Sequence, residues 1–222
     1  MRFSDRTQAG QVLAQHLSAY RQKPQVLVLA LPRGGVPVAS EVAKALGAPL
    51  DVLTVRKLGM PEHPEYAIGA IASGGARVMN PEAEFLNLSP AEVSAIAARE
   101  QRELERRERL YRAGRPPLSL QGHTAILVDD GLATGSTMRA AIAAARRLSA
   151  QHIVVAVPVA APETVADLRS EVDEVVCVTT PVPLRAVGLW YDDFEQVSDE
   201  AVCALLAQAG AEMRTEKHGK AP

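Results

Sequence analysis

The chain has 222 residues, 47% of them hydrophobic and 23% charged, which suits one globular domain that we place at residues 1–210. A net charge of -2 gives no electrostatic reason to expect nucleic acid or a membrane as a partner. The two cysteines lack metal-ligand spacing, and the N-terminal residues lack the apolar core of a signal peptide. No apolar run approaches the ~20 residues of a membrane helix, so we expect a cytoplasmic protein with reduced cysteines.

Strand and helix patterns alternate along the chain. Apolar runs predict strands over residues 25–31, 51–55, 125–128, 153–157 and 174–178. Helical spacing of apolar residues predicts helices over residues 5–20, 36–46, 135–148 and 162–169. A short hairpin is predicted with strands at 66–71 and 77–79. This alternation indicates an α/β fold with an open, mostly parallel sheet and helices on both faces. Residues 211–222 show no pattern and are expected to form a mobile tail.

Basic residues follow the first two predicted strands. Arg33 precedes Gly34 and Gly35. The guanidinium can form two hydrogen bonds to an anion, and the glycines let a ligand come close to backbone N–H groups, so this segment suits a ligand with several negative charges. Arg56 and Lys57 come directly after the second strand. They either bind the same ligand or form a basic strand end in water.

A long charged helix, at about residues 89–112, does not belong to this alternation. It begins with a capping box from Ser89 to Glu92, with Pro90 at its first helical position. Its apolar stripe is thin, and we interpret most of its arginines and glutamates as a solvated face of ion pairs. Two functional alternatives remain: one or two of its arginines help to hold an anionic ligand, or the helix is a dimer arm.

The most informative segment runs from Ile126 to Thr137. An apolar strand ends in Asp129 and Asp130, and a turn of small residues then leads into an Ala-rich helix. The N–H groups of the turn and the helix N-terminus favour a phosphate dianion, and Gly135 permits its close approach. The carboxylates can accept hydrogen bonds from ribose hydroxyls. The segment therefore predicts a pocket for a phosphorylated sugar, the alternative being that the acidic pair and Thr134 only cap the strand and the helix.

This segment resembles the 5-phosphoribosyl-1-pyrophosphate (PRPP) motif of type I phosphoribosyltransferases. The resemblance implies that Asp129 and Asp130 hold the ribose 2′- and 3′-hydroxyls. It also implies a 5-phosphate loop made of Ala133, Thr134, Gly135, Ser136 and Thr137. Gly131 stands where relatives usually carry an apolar residue. Ala133 stands where 6-oxopurine transferases carry a proton-handling Asp, which disfavours hypoxanthine or guanine as the acceptor.

The two basic segments resemble loops of adenine phosphoribosyltransferases. That resemblance implies a pyrophosphate site made of Arg33, Gly34, Gly35, Arg56 and Lys57. The stretch from 59 to 75, which is rich in glycine and contains prolines, resembles the flexible catalytic loop that closes over PRPP. Within it, His63 and Glu65 are expected to be loop residues without chemistry.

A hood that selects the acceptor is expected at about residues 181–197. Part of it resembles the base-recognition segment of hypoxanthine transferases, which implies backbone contacts from Ala186 to the base and a second Mg²⁺ at Asp192. Trp190 either stacks on the base or fills the hood's own core. The family's stacking aromatic aligns with Arg185, which is a departure from the pattern.

Together these features predict a Mg²⁺-dependent phosphoribosyltransferase that moves the ribose 5-phosphate of PRPP to a nitrogen acceptor, a nucleobase, and releases pyrophosphate. The charged helix is compatible with a homodimer. One alternative is a non-catalytic sensor of PRPP or nucleotides. Another is a Mg²⁺-dependent hydrolase using the acidic pair, although no further carboxylate or histidine cluster completes a two-metal site. The motifs of serine hydrolases, P-loop nucleotidases and dinucleotide enzymes do not occur in the sequence.

Overall fold

The computed structural model of the chain describes residues 1–60, 67–79 and 89–218. Its strands are β1 Val26–Ala30, β2 Leu50–Val52, β3 Val55–Gly59, β4 Ala67–Ala72, β5 Ala76–Met79, β6 Thr124–Val128, β7 His152–Val159 and β8 Glu174–Thr179. Its helices are α1 Arg6–His16, α2 Gly35–Leu46, α3 Pro90–Tyr111, α4 Ser136–Arg147, α5 Pro162–Leu168 and α6 Asp199–His218. None of the described helices combines the length and apolar character needed to cross a membrane.

Helix ends coincide with signals in the sequence. The Asp5 side chain accepts a hydrogen bond from the Gln8 N–H and so caps α1. At Gly47 the backbone enters the left-handed region, with φ at 62°, which ends α2. The predicted capping box at the start of α3 is present, with Ser89 and Glu92 each accepting from the other's backbone.

The central sheet has five parallel strands in the order β2-β1-β6-β7-β8. It confirms the predicted α/β fold with a parallel sheet. β1 and β6 are neighbours although about a hundred residues separate them, and they stay in register from Val26↔Thr124 to Ala30↔Val128. Because both strands point the same way, the loops that follow them leave the sheet at one edge, where open α/β folds bind ligands.

Two apolar layers sandwich this sheet. Val28 and Val128 pack with α1, α2 and α6 on one face. Their chain neighbours Leu29 and Leu127 pack with α4 and α5 on the other face. The alternation of side chains along each strand therefore buries both faces, as expected for a parallel sheet covered by helices.

A second, antiparallel sheet in the order β3-β4-β5 contains the predicted hairpin. The prediction of one strand over residues 51–55 is wrong, because the chain leaves the central sheet after β2 and begins β3 at Val55. The apolar run through Leu53 hides this crossing, since a residue buried between two sheets looks like part of a strand. As a result, Arg56 and Lys57 lie within β3 and not in a loop after the second strand. α3 covers this sheet with Ile96 and Leu104.

The chain after residue 210 is a helix up to His218, because α6 runs without interruption from Asp199. The expected tail is therefore helical over residues 211–218, its mobility stays a prediction, and residues 219–222 lie outside the described residues. The first half of α6 is anchored on the central core through Val202 and Leu206. Its second half is polar but rich in good helix formers, so helical propensity continues where the apolar stripe ends.

Candidate active site

The loops after β1 and β6 meet at the carboxyl edge of the central sheet. The Leu31 N–H donates to the Val128 carbonyl at 2.9 Å. A Cβ added to Gly34 would lie 2.0 Å from Asp130 Oδ2, and a Cβ added to Gly35 would lie 2.6 Å from the Val128 carbonyl oxygen. Only residues without a side chain permit this approach, so the loop after β1 packs directly against the acidic pair.

The two adjacent carboxyl groups at the end of β6 share a desolvated environment. The pKa of Asp129 is raised well above its usual value, mainly by burial and secondly by the charge of Asp130. The hydrogen bond from the Asp130 N–H and the charges of Arg6 and Lys57 oppose this rise. Burial also raises the pKa of Asp130, against the hydrogen bond and charge of Arg6. Adjacent carboxyl groups with raised pKa values at a ligand-binding edge are typical of functional sites.

Arg6, at the start of α1, is the residue of this site that the sequence analysis missed. Its Nε donates to Asp130 Oδ2 at 2.8 Å, and its Nη1 donates to the Glu195 carbonyl at 2.8 Å. The guanidinium lies 3.9 Å from the centroid of the Phe194 ring. Arg6 and Asp130 are 124 positions apart, so no local pattern in the sequence points to their contact.

The predicted 5-phosphate loop is held by its carbonyl groups. Thr164 of α5 donates its hydroxyl to the Ala133 carbonyl at 2.5 Å, and Arg139 of α4 donates to the Thr134 carbonyl at 3.0 Å. Gly135 has φ at 72° and precedes α4, whose N-terminus has no side-chain cap among the described residues. The first N–H groups of α4 therefore have no capping side chain among the described residues, and the hydroxyls of Thr134 and Ser136 lie 3.5 Å apart at this end of the helix, so the assignment of residues 133–137 to a 5-phosphate stays a prediction.

Arg33 contacts the N-terminus of α6. The Pro32–Arg33 peptide bond is cis, and Arg33 Nη1 lies 3.6 Å from Asp199 Oδ1. The same carboxylate accepts from the Tyr111 hydroxyl at 2.5 Å and from Arg106 Nη2 at 3.3 Å. The Tyr111 hydrogen bond, with support from Arg106 and Arg33, holds the pKa of Asp199 below its usual value. An arginine of α3 therefore shares a carboxylate with Arg33.

The two basic residues of β3, Arg56 and Lys57, have different surroundings. Arg56 donates from Nε and Nη2 to Glu100 Oε2, at 3.0 and 2.7 Å. Glu100 is buried in α3, with 7% of its surface exposed, although the charge pattern of this helix predicts a solvated face. Lys57 is exposed, and its charge acts on the pKa of Asp129. Of the two, Lys57 is thus the cation more directly coupled to the acidic pair.

The hood is joined to the N-terminal residues. The Phe3 N–H donates to the Trp190 carbonyl at 2.8 Å, and the Tyr191 hydroxyl donates to the Asp130 carbonyl at 2.6 Å. Trp190 is half-buried against the cluster of Phe3 and Tyr191, whereas Ala186 is exposed. Trp190 therefore packs within the hood, and its stacking on a base stays a prediction.

Gly131 is explained by contact with the hood. A Cβ at this position would lie 2.5 Å from Val187 Cγ1. Glycine at position 131, in place of the family's apolar residue, therefore allows the hood to pack closely on the loop after β6.

Asp192 is exposed over 65% of its side chain and lies 3.1 Å from Arg2 Nη2. Within the described residues there is no cluster of three or more histidine, cysteine or acidic side chains that could hold a metal ion. The assignment of a second Mg²⁺ to Asp192 stays a prediction. His63 and Glu65 lie outside the described residues.

Comparisons with known proteins agree with this architecture. The family model described as "Phosphoribosyl transferase domain" matches residues 6–193. Two proteins from Mycobacterium tuberculosis are each 48% identical to this chain over 208 residues. They come from strains CDC 1551 / Oshkosh and ATCC 25618 / H37Rv and are provisionally named phosphoribosyl transferases. The match covers 93% of this chain and 47% of theirs, so the chain spans about half the length of these relatives. The crystal structure of a protein from Thermus thermophilus is 44% identical, with a TM-score of 0.80 and coverage of 94% of this chain and 99% of that one.

Proposed function

Because the chain belongs to the phosphoribosyl transferase family, whose members transfer a pentosyl group, we propose that it moves the ribose 5-phosphate of PRPP to a nitrogen acceptor. The observation that carries the proposal is the contact between the loop after β1 and the acidic pair, where a Cβ on Gly34 would lie 2.0 Å from Asp130 Oδ2. Pyrophosphate on the first loop and ribose on the acidic pair would then meet at the anomeric carbon that joins them in PRPP.

In the proposed reaction the chain orients PRPP and stabilises changing charge. Asp129 and Asp130 hold the ribose hydroxyls, and the loop of residues 133–137 holds the 5-phosphate. The bond from the anomeric carbon to the pyrophosphate oxygen breaks, and its electron pair leaves with the pyrophosphate. A lone pair of the acceptor nitrogen forms the new bond to the anomeric carbon, and the proton of this nitrogen passes to the departing pyrophosphate. Arg33 and Lys57 stabilise the negative charge of the departing pyrophosphate. No covalent protein intermediate is required, so orientation supplies much of the rate.

We propose that Mg²⁺ enters with PRPP. Mg²⁺ is usually bound through one or two carboxylates together with substrate phosphates, and not by an all-protein cage. This donor preference fits a chain whose described residues offer no cluster of three or more metal-binding side chains. When bound, the ion neutralises negative charge on the pyrophosphate. Asp192 is the carboxylate we propose for a second ion.

We propose a nucleobase acceptor that does not need a protein acid beside the 5-phosphate loop. Ala133 offers no proton-transfer group there, and its carbonyl is already hydrogen-bonded to Thr164. Adenine-like or orotate-like acceptors therefore fit better than hypoxanthine or guanine. The hood supplies backbone groups near Ala186, which is exposed.

The test of the PRPP site is calorimetric titration of the purified protein with PRPP, with and without Mg²⁺. Replacing Asp129→Asn and Asp130→Asn together removes two charged acceptors, each worth about 1.5–3 kcal/mol, so affinity should fall by at least about 100-fold. Asp173→Asn with Glu174→Gln is a matched control, because this acidic pair lies at the opposite edge, where β8 begins. Unchanged PRPP affinity in a folded Asp129/Asp130 double variant would contradict the site assignment.

A second candidate function is a non-catalytic sensor of PRPP or nucleotides. One observation favours it: two cations assigned to pyrophosphate already have carboxylate partners, Arg33 with Asp199 and Arg56 with Glu100. Measuring pyrophosphate release with a panel of nucleobases separates the two functions. Release with one base supports the transferase and identifies its acceptor, whereas Mg²⁺-dependent PRPP binding without release favours the sensor.

A further inference from the structure

The Arg6 side chain is largely buried, where a charge carries a desolvation cost. Only 11% of its side chain is exposed, and its partner Asp130 is 16% exposed. Removing such a pair from water is compensated only when the geometry is good and the remaining hydrogen-bonding groups are satisfied. Arg6 meets this condition with bonds to Asp130 and to the Glu195 carbonyl, and with its guanidinium over Phe194.

The surroundings of Asp130 fix its carboxylate from several sides. Arg6 Nε holds Oδ2, the Gly34 backbone lies against the same oxygen, and the Tyr191 hydroxyl binds the main-chain carbonyl. Within the described part of the chain, no side chain donates to Oδ1. Oδ2 is therefore held by the Arg6 side chain, whereas no described side chain holds Oδ1.

We propose that Arg6 is a positioning residue for ribose recognition: by holding Asp130 Oδ2, it directs Oδ1 to accept a hydrogen bond from a ribose hydroxyl. This inference rests on the proposed PRPP-binding function. Arg6 also joins the ribose carboxylate to the hood, because the same guanidinium binds Glu195 and stacks on Phe194. A ribose hydroxyl on Asp130 and an acceptor under the hood would then be aligned by one side chain.

The charge of Arg6 supports the same role. Burial raises the pKa of the Asp130 carboxyl, and the Arg6 hydrogen bond opposes this rise. An ionised carboxylate accepts hydrogen bonds from hydroxyls more strongly than a protonated carboxyl group. Arg6 thus fixes the orientation of the carboxyl group and opposes the rise of its pKa.

The inference is tested by the ability of the protein to distinguish ribose from deoxyribose. Binding of ribose 5-phosphate, its 2-deoxy and 3-deoxy analogues, and inorganic phosphate is measured by calorimetry for the unaltered protein and for Arg6→Gln and Arg6→Lys. Arg2→Gln is the matched control, because Arg2 also binds the hood, at the Tyr191 carbonyl, but does not touch Asp130. Thermal unfolding establishes that each variant is folded.

We expect Arg6→Gln to lower ribose 5-phosphate affinity by about 10- to 100-fold, the effect of losing one charged hydrogen bond. Its preference for ribose over at least one deoxy analogue should fall towards one. Inorganic phosphate affinity should stay within about twofold, because the 5-phosphate loop is held by other groups. Arg6→Lys should restore part of the preference, and Arg2→Gln should retain all of it.

Two results with the Arg6→Gln variant would overturn the role of Arg6. A folded Arg6→Gln variant that keeps the full preference for ribose would make Arg6 a packing residue only. Tighter binding of ribose 5-phosphate by that variant would make Arg6 a competitor of the sugar. If the unaltered protein itself binds ribose 5-phosphate no better than inorganic phosphate, the proposed function fails, and the role of Arg6 fails with it.

Discussion

The 5-phosphate loop and the acidic pair just before it are neighbours in sequence but are held by different parts of the chain. The loop carbonyls accept hydrogen bonds from Arg139 and Thr164, at sequence separations of 5 and 31 residues. Asp130 is bound by Tyr191 and Arg6, at separations of 61 and 124 residues. The proposed phosphate side thus depends on the adjoining helices, whereas the proposed ribose side depends on the hood and the N-terminal residues.

This difference separates two kinds of recognition. A helix N-terminus with backbone N–H groups attracts any phosphate, because the attraction needs only the local geometry of one turn. Distinguishing a sugar requires carboxylate oxygens that point at particular hydroxyls, and for the proposed ribose site the position of Asp130 is set by Arg6 and Tyr191. Changes on the two sides should therefore have different effects on inorganic phosphate and on ribose 5-phosphate.

The largest expected effect is that of Gly34→Ala, which acts on the ribose side. The new methyl group would lie 2.0 Å from Asp130 Oδ2 and must displace this carboxylate. We expect at least about a 100-fold loss of ribose 5-phosphate affinity and a destabilisation of about 1–3 kcal/mol, measured by calorimetry and by denaturant unfolding. Gly210→Ala is the control, since its nearest contact is Arg115 Nη2 at 3.8 Å. Retained ribose preference in Gly34→Ala would show that the carboxylate can bind from another place.

Thr164→Val should have a smaller effect, on the phosphate side. Valine keeps the shape but removes the hydroxyl that donates to the Ala133 carbonyl at 2.5 Å. An unpaired carbonyl costs about 1–3 kcal/mol, so both inorganic phosphate and ribose 5-phosphate should bind about tenfold more weakly. Ser170→Ala is the control, because it removes a similar hydroxyl-to-carbonyl bond at the exposed end of α5. A loss confined to ribose 5-phosphate would mean that the two sides are not independent.

Asp129→Asn should have the smallest effect, on the pH dependence of stability. Since burial raises the pKa of Asp129, the folded state binds a proton more tightly than the unfolded state. The free energy of unfolding therefore falls as pH rises from the ordinary aspartate range, about 3.9, through the raised value. The asparagine variant lacks this loss, so its melting temperature should exceed that of the unaltered protein at pH 8, by about 2 °C or more, and not at pH 4. An equal difference at both pH values would contradict a raised pKa.

Much of the architecture could be predicted because its signals are contiguous. The strand of residues 124–128, the acidic pair and the small turn stand within one short stretch, and the continuous apolar run before the acidic pair marks the end of a buried strand. That the loops after β1 and β6 meet followed from a general property of parallel sheets, and the register Ala30↔Val128 confirms it.

The features that sequence reasoning missed depend on distant contacts. Arg6 resembles any surface arginine near a helix start until Asp130 is placed beside it. Glu100 resembles one more charge on a solvated helix, but Arg56 from another element neutralises it in a buried place. Leu53 resembles a strand residue because burial between two sheets has the same apolar signature as burial within one. Periodicity reports burial well, but it does not report which partner causes the burial.

The hydrogen bond between Arg6 and the hood also affects the order in which contacts form during synthesis. Arg6 is synthesised 189 residues before Glu195, whose carbonyl oxygen it binds. The nascent chain can form α1, β1 and α2 well before that point, since their contacts are closer in sequence. The carboxyl group that we propose for ribose binding, that of Asp130, has all of these contacts only after Tyr191 has been translated, so we expect a chain truncated before the hood to carry the proposed phosphate loop without them.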